Sequence, residues 1–131
     1  MERFQIYKGN ETILVVDDES IVRNLIKVFL KDLGYKVITA VNGEDAVNKF
    51  TQHIDTIKVV VMDVVMPIKD GITAYREIKE IKPDAYIFLL SGYQNSHPLL
   101  ANKPPEIQII PKPCRPVDIV KRIRTALEGT A

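Results

Sequence analysis

Two kinds of segment alternate along this chain, and their order is its strongest structural constraint. Short runs rich in Val, Ile and Leu are separated by longer segments with apolar residues at helical spacing; the runs span residues 13–16, 36–40, 57–62, 86–90 and 107–110. Such alternation is typical of a parallel sheet with helices on both faces, because each parallel crossover requires a long connection. It predicts a single doubly wound α/β domain with five parallel strands.

The connections carry helix signals of different strength. After the first strand, apolar residues at helical spacing predict a helix with one wide apolar stripe, formed by Ile21, Val22, Leu25, Ile26, Phe29, Leu30 and Leu33. Gly34 is expected to end this helix, and Asn42 is expected to cap the next one. A later helix stops before Pro83. These signals place one helix after each of the first three strands.

Prolines concentrate near the end of the chain. Of the 8 prolines, six lie in one stretch, namely Pro98, Pro104, Pro105, Pro111, Pro113 and Pro116. Because proline interrupts helices beyond their first turn, the connection between the fourth and fifth strands predicts a short or irregular fourth helix. The last helix begins at about Pro116, and we interpret its basic residues as a solvated face: Arg115, Lys121, Arg122 and Arg124.

Composition excludes several classes of protein. The chain has 131 residues, with 18 Lys and Arg against 17 Asp and Glu, for a formal charge of +1, so no direct binding of nucleic acid is expected. A single cysteine, Cys114, excludes an internal disulfide framework and a cysteine-based zinc site, which fits a reducing cytoplasm. No apolar run approaches the roughly 20 residues of a membrane span, and residues 1–10 are too polar for a signal peptide.

Reactive side chains follow four of the five predicted strands. Asp17 and Asp18 follow the first, Asp63 the third, Ser91 the fourth and Lys112 the fifth. Asp and Ser often follow strands as caps or turn residues, and for any one position that structural role is the better interpretation. The set as a whole favours a site, because strand ends of an open α/β sheet converge where ligands bind.

The residue types indicate phosphoryl chemistry at that edge. Three carboxylates brought close together cannot all stay ionised without a cation, and all-oxygen ligation suits Mg²⁺. Asp63 is suited to act as the nucleophile that forms an aspartyl phosphate. Lys112 and Ser91 would then supply a positive charge and a hydroxyl donor to the phosphoryl oxygens.

From about residue 11 to residue 129 the chain resembles the receiver domains of two-component response regulators. The resemblance rests on Asp17-Asp18 after the first strand, on Asp63 with Met66-Pro67 and Asp70-Gly71 behind it, on Ser91-Gly92, and on Lys112-Pro113. It implies a flavodoxin-like fold with strand order 2-1-3-4-5 and a cis peptide before Pro113.

The resemblance also implies roles for the site residues. Asp63 is the phosphoacceptor, and Asp17 and Asp18 organise Mg²⁺ together with Asp63 and the carbonyl of Val65. Ser91 is the switch hydroxyl, and Lys112 bonds the phosphoryl group. The donor is the phosphohistidine of a histidine kinase or of a histidine phosphotransfer domain. The domain assists only its own phosphorylation and dephosphorylation, so it is not expected to be an enzyme, and its state switches a docking surface.

Ile109, which departs from the family pattern, and two further positions near the site carry expectations of their own. Ile109 stands where receivers usually have Tyr or Phe, so we expect no aromatic rotamer switch. Val65 and Tyr93 fall two positions after Asp63 and Ser91, beside the path of an attacking water. An apolar and an aromatic residue there are expected to slow the loss of phosphate by excluding water.

The sequence leaves alternatives open. An interaction module that is never phosphorylated has the same fold, and a phosphohydrolase with an aspartate nucleophile shares the covalent step. The hydrolase ranks lower, because such enzymes usually carry a carboxylate where Val65 stands. Residues 1–10 are expected to be a lead-in or linker, and residues 8–12 resemble the linker before the receiver of a hybrid sensor kinase. No DNA-binding output domain is expected, and a homodimer is one assembly left open.

Overall fold

Five parallel strands form one sheet at the centre of the fold. In this computed structural model, which describes residues 2–92, 97–101 and 103–129, they are β1 (Thr12–Val16), β2 (Lys36–Ala40), β3 (Ile57–Asp63), β4 (Tyr86–Ser91) and β5 (Gln108–Pro111). Their spatial order is β2-β1-β3-β4-β5, and all four neighbouring pairs are parallel. The predicted fold class and strand order are confirmed.

Helices cover both faces of this sheet: α1 (Ser20–Asp32), α2 (Gly43–Gln52), α3 (Gly71–Ile81) and α4 (Pro116–Glu128). Because side chains alternate along a strand, Leu14 points into the apolar cluster under α2 and α3, whereas Ile13 points into the cluster under α1 and α4. No helix in the described part of the chain has the length and apolar character needed to span a bilayer.

Local signals set the ends of the helices as the sequence predicts. The Asn42 side chain caps α2 by accepting a hydrogen bond of 2.8 Å from the backbone N–H of Asp45. Asp70, which was not predicted as a cap, caps α3 in the same way through the N–H of Thr73, also at 2.8 Å. Gly34, just beyond the end of α1, has φ of +103°, a conformation that favours glycine. These caps fix where the loops begin at each edge of the sheet.

The predicted apolar stripe of α1 is wider than the face that the helix buries. Ile26 and Leu30 are buried against the sheet, but Ile21 is 83% exposed and Leu25 is 59% exposed. A helix on a sheet buries only one side, and Ile21 and Leu25 lie on the outer side of α1. The stripe predicted for α1 therefore includes residues that the helix does not bury.

The connection from β4 to β5 contains one short helix among its described residues. It is a 3-10 helix at Pro98–Leu100, where proline occupies the first turn, which confirms the predicted short fourth helix. Leu100 is buried in the cluster under α2 and α3, and Ile109 of β5 packs beside that cluster. An aliphatic side chain thus fills the position where the resemblance would lead one to expect an aromatic one.

The segment that precedes β1 is also ordered. A 3-10 helix spans Glu2–Tyr7, and Phe4 and Tyr7 pack against the cluster under α1 and α4. On the same side, the side chain of Arg124 is only 16% exposed and contacts Glu11 and Glu128. The interpretation of the basic residues of the last helix as a solvated face is therefore wrong for Arg124.

Candidate functional site

Three carboxylates meet at the carboxyl edge of the sheet. Asp17 directly follows β1, Asp18 comes next, and Asp63 is the last residue of β3, the strand beside β1. One carboxylate oxygen from each residue lies within 4.8 Å of the other two. The structure therefore brings together the three acids that the sequence singles out.

Asp17 is the most buried of the three acids. Its side chain has no exposed surface, and its Oδ1 accepts a hydrogen bond of 2.9 Å from the backbone N–H of Glu19. Its Oδ2 is buried and makes no hydrogen bond to any residue that the structure describes. Burial raises the pKa of Asp17 to about 6, and the charges of Asp63 and Asp18 add to this effect.

Arg23 holds the backbone next to this acid, a contact that the sequence analysis missed. Its guanidinium Nη1 donates to the carbonyl oxygen of Asp17 at 2.7 Å, so the first turn of α1 is tied to the acidic cluster. An arginine six positions after an aspartate has no distinctive spacing in the sequence, because the contact depends on how the β1–α1 loop bends.

Lys112 contacts Asp63 from the end of β5. Its Nζ lies 2.9 Å from Oδ1 of Asp63, which is itself buried. Burial raises the pKa of Asp63 above its usual value, although the hydrogen bond and charge of Lys112 oppose the rise. Burial alone would lower the pKa of Lys112, but the bond to Asp63 raises it, so this lysine is charged.

The loop after Asp63 is shaped by tight backbone contacts. The N–H of Gly71 donates to the carbonyl of Val64 at 2.7 Å, and a Cβ at Gly71 would overlap the carbonyl oxygen of Asp63. Ile68 has φ of +71°, and the N–H of Lys69 donates to the carbonyl of Pro67 at 2.7 Å, which makes a strained γ-turn. Nothing in the sequence predicts this turn, because β-branched residues rarely adopt it.

Ser91 completes the edge at the end of β4. The residue is buried, and its carbonyl accepts a hydrogen bond of 2.9 Å from the backbone N–H of Lys112. Both residues line a cleft of about 360 Å³ together with Asp18, Asp63 and Val65. The peptide between Lys112 and Pro113 is cis, as the resemblance implies. Tyr93 lies outside the described residues.

The cluster has the chemistry of a hard divalent cation site. Three carboxylates face one lysine, and the buried Oδ2 of Asp17 has no donor among the described residues, so a cation would compensate a charge that the protein itself leaves uncompensated. All the side-chain donors are oxygen, which suits Mg²⁺ and argues against metals that prefer sulfur or imidazole. The residues present therefore fit Mg²⁺.

The fold and the side chains at the carboxyl edge of the sheet together define a class of protein. Its members are doubly wound domains that carry an acidic cluster and a lysine at the carboxyl ends of their strands. Within that class, the model of the response regulator receiver domain family matches residues 13–124. The chain belongs to this family.

Curated relatives come from several kinds of signalling protein. The autoinducer 1 sensor kinase/phosphatase LuxN of Vibrio campbellii is 42% identical over 89 residues, which cover 67% of this chain and 10% of LuxN. The chemotaxis protein CheY of Bacillus subtilis is 43% identical over 81 residues, which cover 61% of this chain and 66% of CheY. The chain thus spans about a tenth of the length of LuxN and about two thirds of CheY.

Solved structures show the same fold. A response regulator receiver domain protein from Clostridium thermocellum has a TM-score of 0.80 and 32% identity, and the match covers 91% of this chain and 95% of that one. The CheX–CheY complex of Borrelia burgdorferi with BeF3 and Mg²⁺ matches with a TM-score of 0.77, 28% identity and 89% coverage of both chains.

Proposed function

We propose that this protein accepts a phosphoryl group on Asp63 from a phosphohistidine, in the presence of Mg²⁺, and that the phosphorylated state switches a docking surface. The observation that carries the proposal is the position of Asp63. Its carboxylate lies between two further acids, within 4.8 Å, and the ammonium group of Lys112, at 2.9 Å. This arrangement gives a nucleophile, a cation site and a fixed positive charge within one cleft.

Each residue has one role in the transfer. A carboxylate oxygen of Asp63 attacks phosphorus while the P–N bond of the phosphohistidine breaks, and the imidazole nitrogen keeps the electron pair and takes a proton. Asp17, Asp18, Asp63 and the carbonyl of Val65 would hold Mg²⁺, which neutralises negative charge at the phosphoryl oxygens when bound. The Lys112 ammonium and the Ser91 hydroxyl would bind the phosphoryl oxygens.

The outer side of α1 supports a protein as the donor. Ile21, Leu25 and Val28 are exposed at i, i+4, i+7 spacing, and they line a groove of about 700 Å³ with Lys27. Exposed apolar side chains in a row suit contact with another helix. Because α1 begins three residues after Asp17, a helix on this groove would hold a phosphohistidine near Asp63. A histidine kinase or a histidine phosphotransfer domain fits this requirement.

Further parts of the proposal follow from the same roles. The protein catalyses only its own modification and is not a general enzyme, since the apolar Val65 stands at the wall of the cleft instead of a general base. Residues 11–129 constitute the receiver, and the place of action is the cytoplasm. A homodimer of this chain is tested by measuring the molar mass of the protein in solution.

Intact mass spectrometry after incubation with acetyl phosphate and Mg²⁺ tests the proposal. The wild-type chain should gain the mass of one phosphoryl group, and Asp63→Ala should gain none. Asp55→Ala is the matched control, because Asp55 is exposed in the turn before β3, at the opposite end of that strand from the site, and it should behave as wild type. No gain for wild type would favour the interaction module that is never phosphorylated.

A further inference from the structure

Residues 2–9, which we call the strap, cross from α1 to α4 on the outside of the domain. The ring of Phe4 packs against that of Phe29 in α1, with centroids 5.8 Å apart. The ring of Tyr7 lies under the ammonium of Lys121 in α4, at 5.9 Å. The N–H of Gly9 donates to the carbonyl of Leu33, just after α1, at 3.1 Å. The strap therefore contacts both helices.

A partly buried polar cluster holds the end of the strap in place. The hydroxyl of Tyr35 donates to the carbonyl of Tyr7 at 2.7 Å and accepts from Nη1 of Arg124 at 3.2 Å. Arg124 in turn donates to Glu11 at 2.9 Å. A Cβ at Gly9 would lie 2.5 Å from Nη1 of Arg124, so a larger residue at this point of the strap would have to displace the Arg124 side chain. The end of the strap thus packs directly against this cluster.

The two helices that the strap joins lead back to the site at their other ends. Arg23 in the first turn of α1 donates to the carbonyl of Asp17 at 2.7 Å. Lys112, which bonds Asp63 at 2.9 Å, lies in the short loop that leads into α4 at Pro116. A change in the spacing of α1 and α4 therefore moves backbone that holds both the cation site and the phosphoryl-binding lysine.

We propose that the docked strap preorganises the phosphorylation site by holding α1 and α4 at a fixed spacing. Release of the strap then weakens binding of Mg²⁺ and phosphoryl, because the site must be ordered at the moment of binding. By thermodynamic linkage, occupancy of the site tightens the strap by the same factor. The proposal rests on the proposed function, since it concerns regulation of that site.

Three variants separate the docked strap from the released one. Phe4→Ala removes the contact with Phe29, and Gly9→Ala places a methyl group against Arg124. Ile6→Ala is the matched control, because Ile6 lies in the same segment but is 76% exposed. Trypsin cleavage after Lys8, followed by mass spectrometry, reports the opening of the strap. Cleavage should be faster in the first two variants than in wild type and Ile6→Ala.

Calorimetric titration with Mg²⁺ and beryllofluoride, a phosphoryl analogue, tests the coupling. We expect the affinity for Mg²⁺ and beryllofluoride to fall by about fivefold in Phe4→Ala and in Gly9→Ala and to stay unchanged in Ile6→Ala. In wild type, binding of the same probe should slow cleavage after Lys8. Equal affinity in all four proteins, or unchanged cleavage in both strap variants, would overturn the coupling alone. A wild-type chain that does not bind the probe would instead contradict the proposed function, and the coupling with it.

Discussion

Two polar clusters lie at opposite ends of the sheet, and their charges are compensated to different extents. At the carboxyl edge, three carboxylates share the single ammonium of Lys112, and one oxygen of Asp17 has no partner among the described residues. At the other end, Arg124 contacts Glu11, Glu128 and the hydroxyl of Tyr35. Each cluster joins residues that are far apart in the chain, but only in the second does every charged side chain contact a group of opposite charge among the described residues.

The pKa shifts express this difference. Burial raises the pKa of Asp17 to about 6 and that of Asp63 above its usual value, so each acid resists ionisation in the metal-free protein. Burial alone would also raise the pKa of Glu11, but its hydrogen bonds, including that from Arg124, lower it. A cluster that needs a ligand to compensate its charge is suited to binding, whereas a compensated cluster stabilises the fold.

The largest expected effect is the loss of phosphorylation when Lys112 is removed. Lys112→Ala deletes the charge next to Asp63, and removal of one such electrostatic contact typically slows a reaction by about 100-fold. The rate of mass gain with acetyl phosphate and Mg²⁺ measures this. Lys58→Ala is the control, because Lys58 is exposed near the opposite end of β3. Equal rates in Lys112→Ala and Lys58→Ala would contradict the role of Lys112.

The cluster around Arg124 should contribute to the stability of the fold. Arg124→Met keeps an apolar stem but leaves Glu11 without its partner. We expect a loss of about 2 kcal/mol in the free energy of unfolding, less than for a fully buried pair because the side chains partly reach water. Urea denaturation measures it. Arg115→Met, at an exposed pair with Asp118, should change the midpoint far less, and a similar change in both variants would show that burial does not matter here.

Removal of a charge from the cluster of Asp17, Asp18 and Asp63 should instead raise the stability of the metal-free protein. Asp17→Asn removes a buried charge that lacks compensation, so the metal-free protein should be more stable by roughly 1–2 kcal/mol at neutral pH. The same variant should lose the stabilisation that Mg²⁺ gives wild type. Thermal unfolding with Mg²⁺ and with a chelator measures both effects. A metal-free Asp17→Asn that is less stable than wild type would contradict the account.

The pH dependence of that difference has a defined direction. The pKa of Asp17 is about 6 in the folded state and about 3.8 in the unfolded chain, so between these values the folded state holds the extra proton. The unfavourable contribution of this group is therefore fully present above about pH 6 and fades as the pH falls toward 4. The stability gap between Asp17→Asn and wild type, measured without metal, should narrow over that range; a constant gap would contradict the shift.

The smallest effect is expected at Val65, on the wall of the cleft. Val65→Asn replaces an apolar side chain with one that can orient water, so the phosphorylated protein should lose phosphate a few-fold faster. The decay of the phosphorylated mass after removal of acetyl phosphate measures the rate. Val65→Ile, which keeps the position apolar, should decay no faster than wild type. Unchanged decay in Val65→Asn would exclude water access at Val65 as a control of lifetime.

The sequence predicted those features that depend on local chemistry or on strand order. The limits of β2, the cap at Asn42 and the turn at Gly34 follow from nearby residues, and the meeting of Asp17 with Asp63 follows from adjacent parallel strands. The family pattern added the roles of the individual site residues, which remain predictions.

Other features could not be predicted because they depend on distant or strained contacts. Arg124 bonds Glu11 across 113 positions of the chain, and nothing near either residue marks the pair. The outer exposure of Ile21 depends on which side of α1 packs on the sheet. The γ-turn at Ile68 contradicts the preference of a β-branched residue. In each case tertiary packing, not local preference, decides the structure.

The most direct test of the central claim locates the phosphoryl group itself. After incubation with acetyl phosphate and Mg²⁺, borohydride reduces an aspartyl phosphate to homoserine, which peptide sequencing by mass spectrometry can place. The tryptic peptide of residues 59–69 contains one aspartate, Asp63. We expect homoserine at position 63 in wild type and none in Lys112→Ala at early times. Homoserine at another aspartate, or at none, would contradict phosphorylation at Asp63.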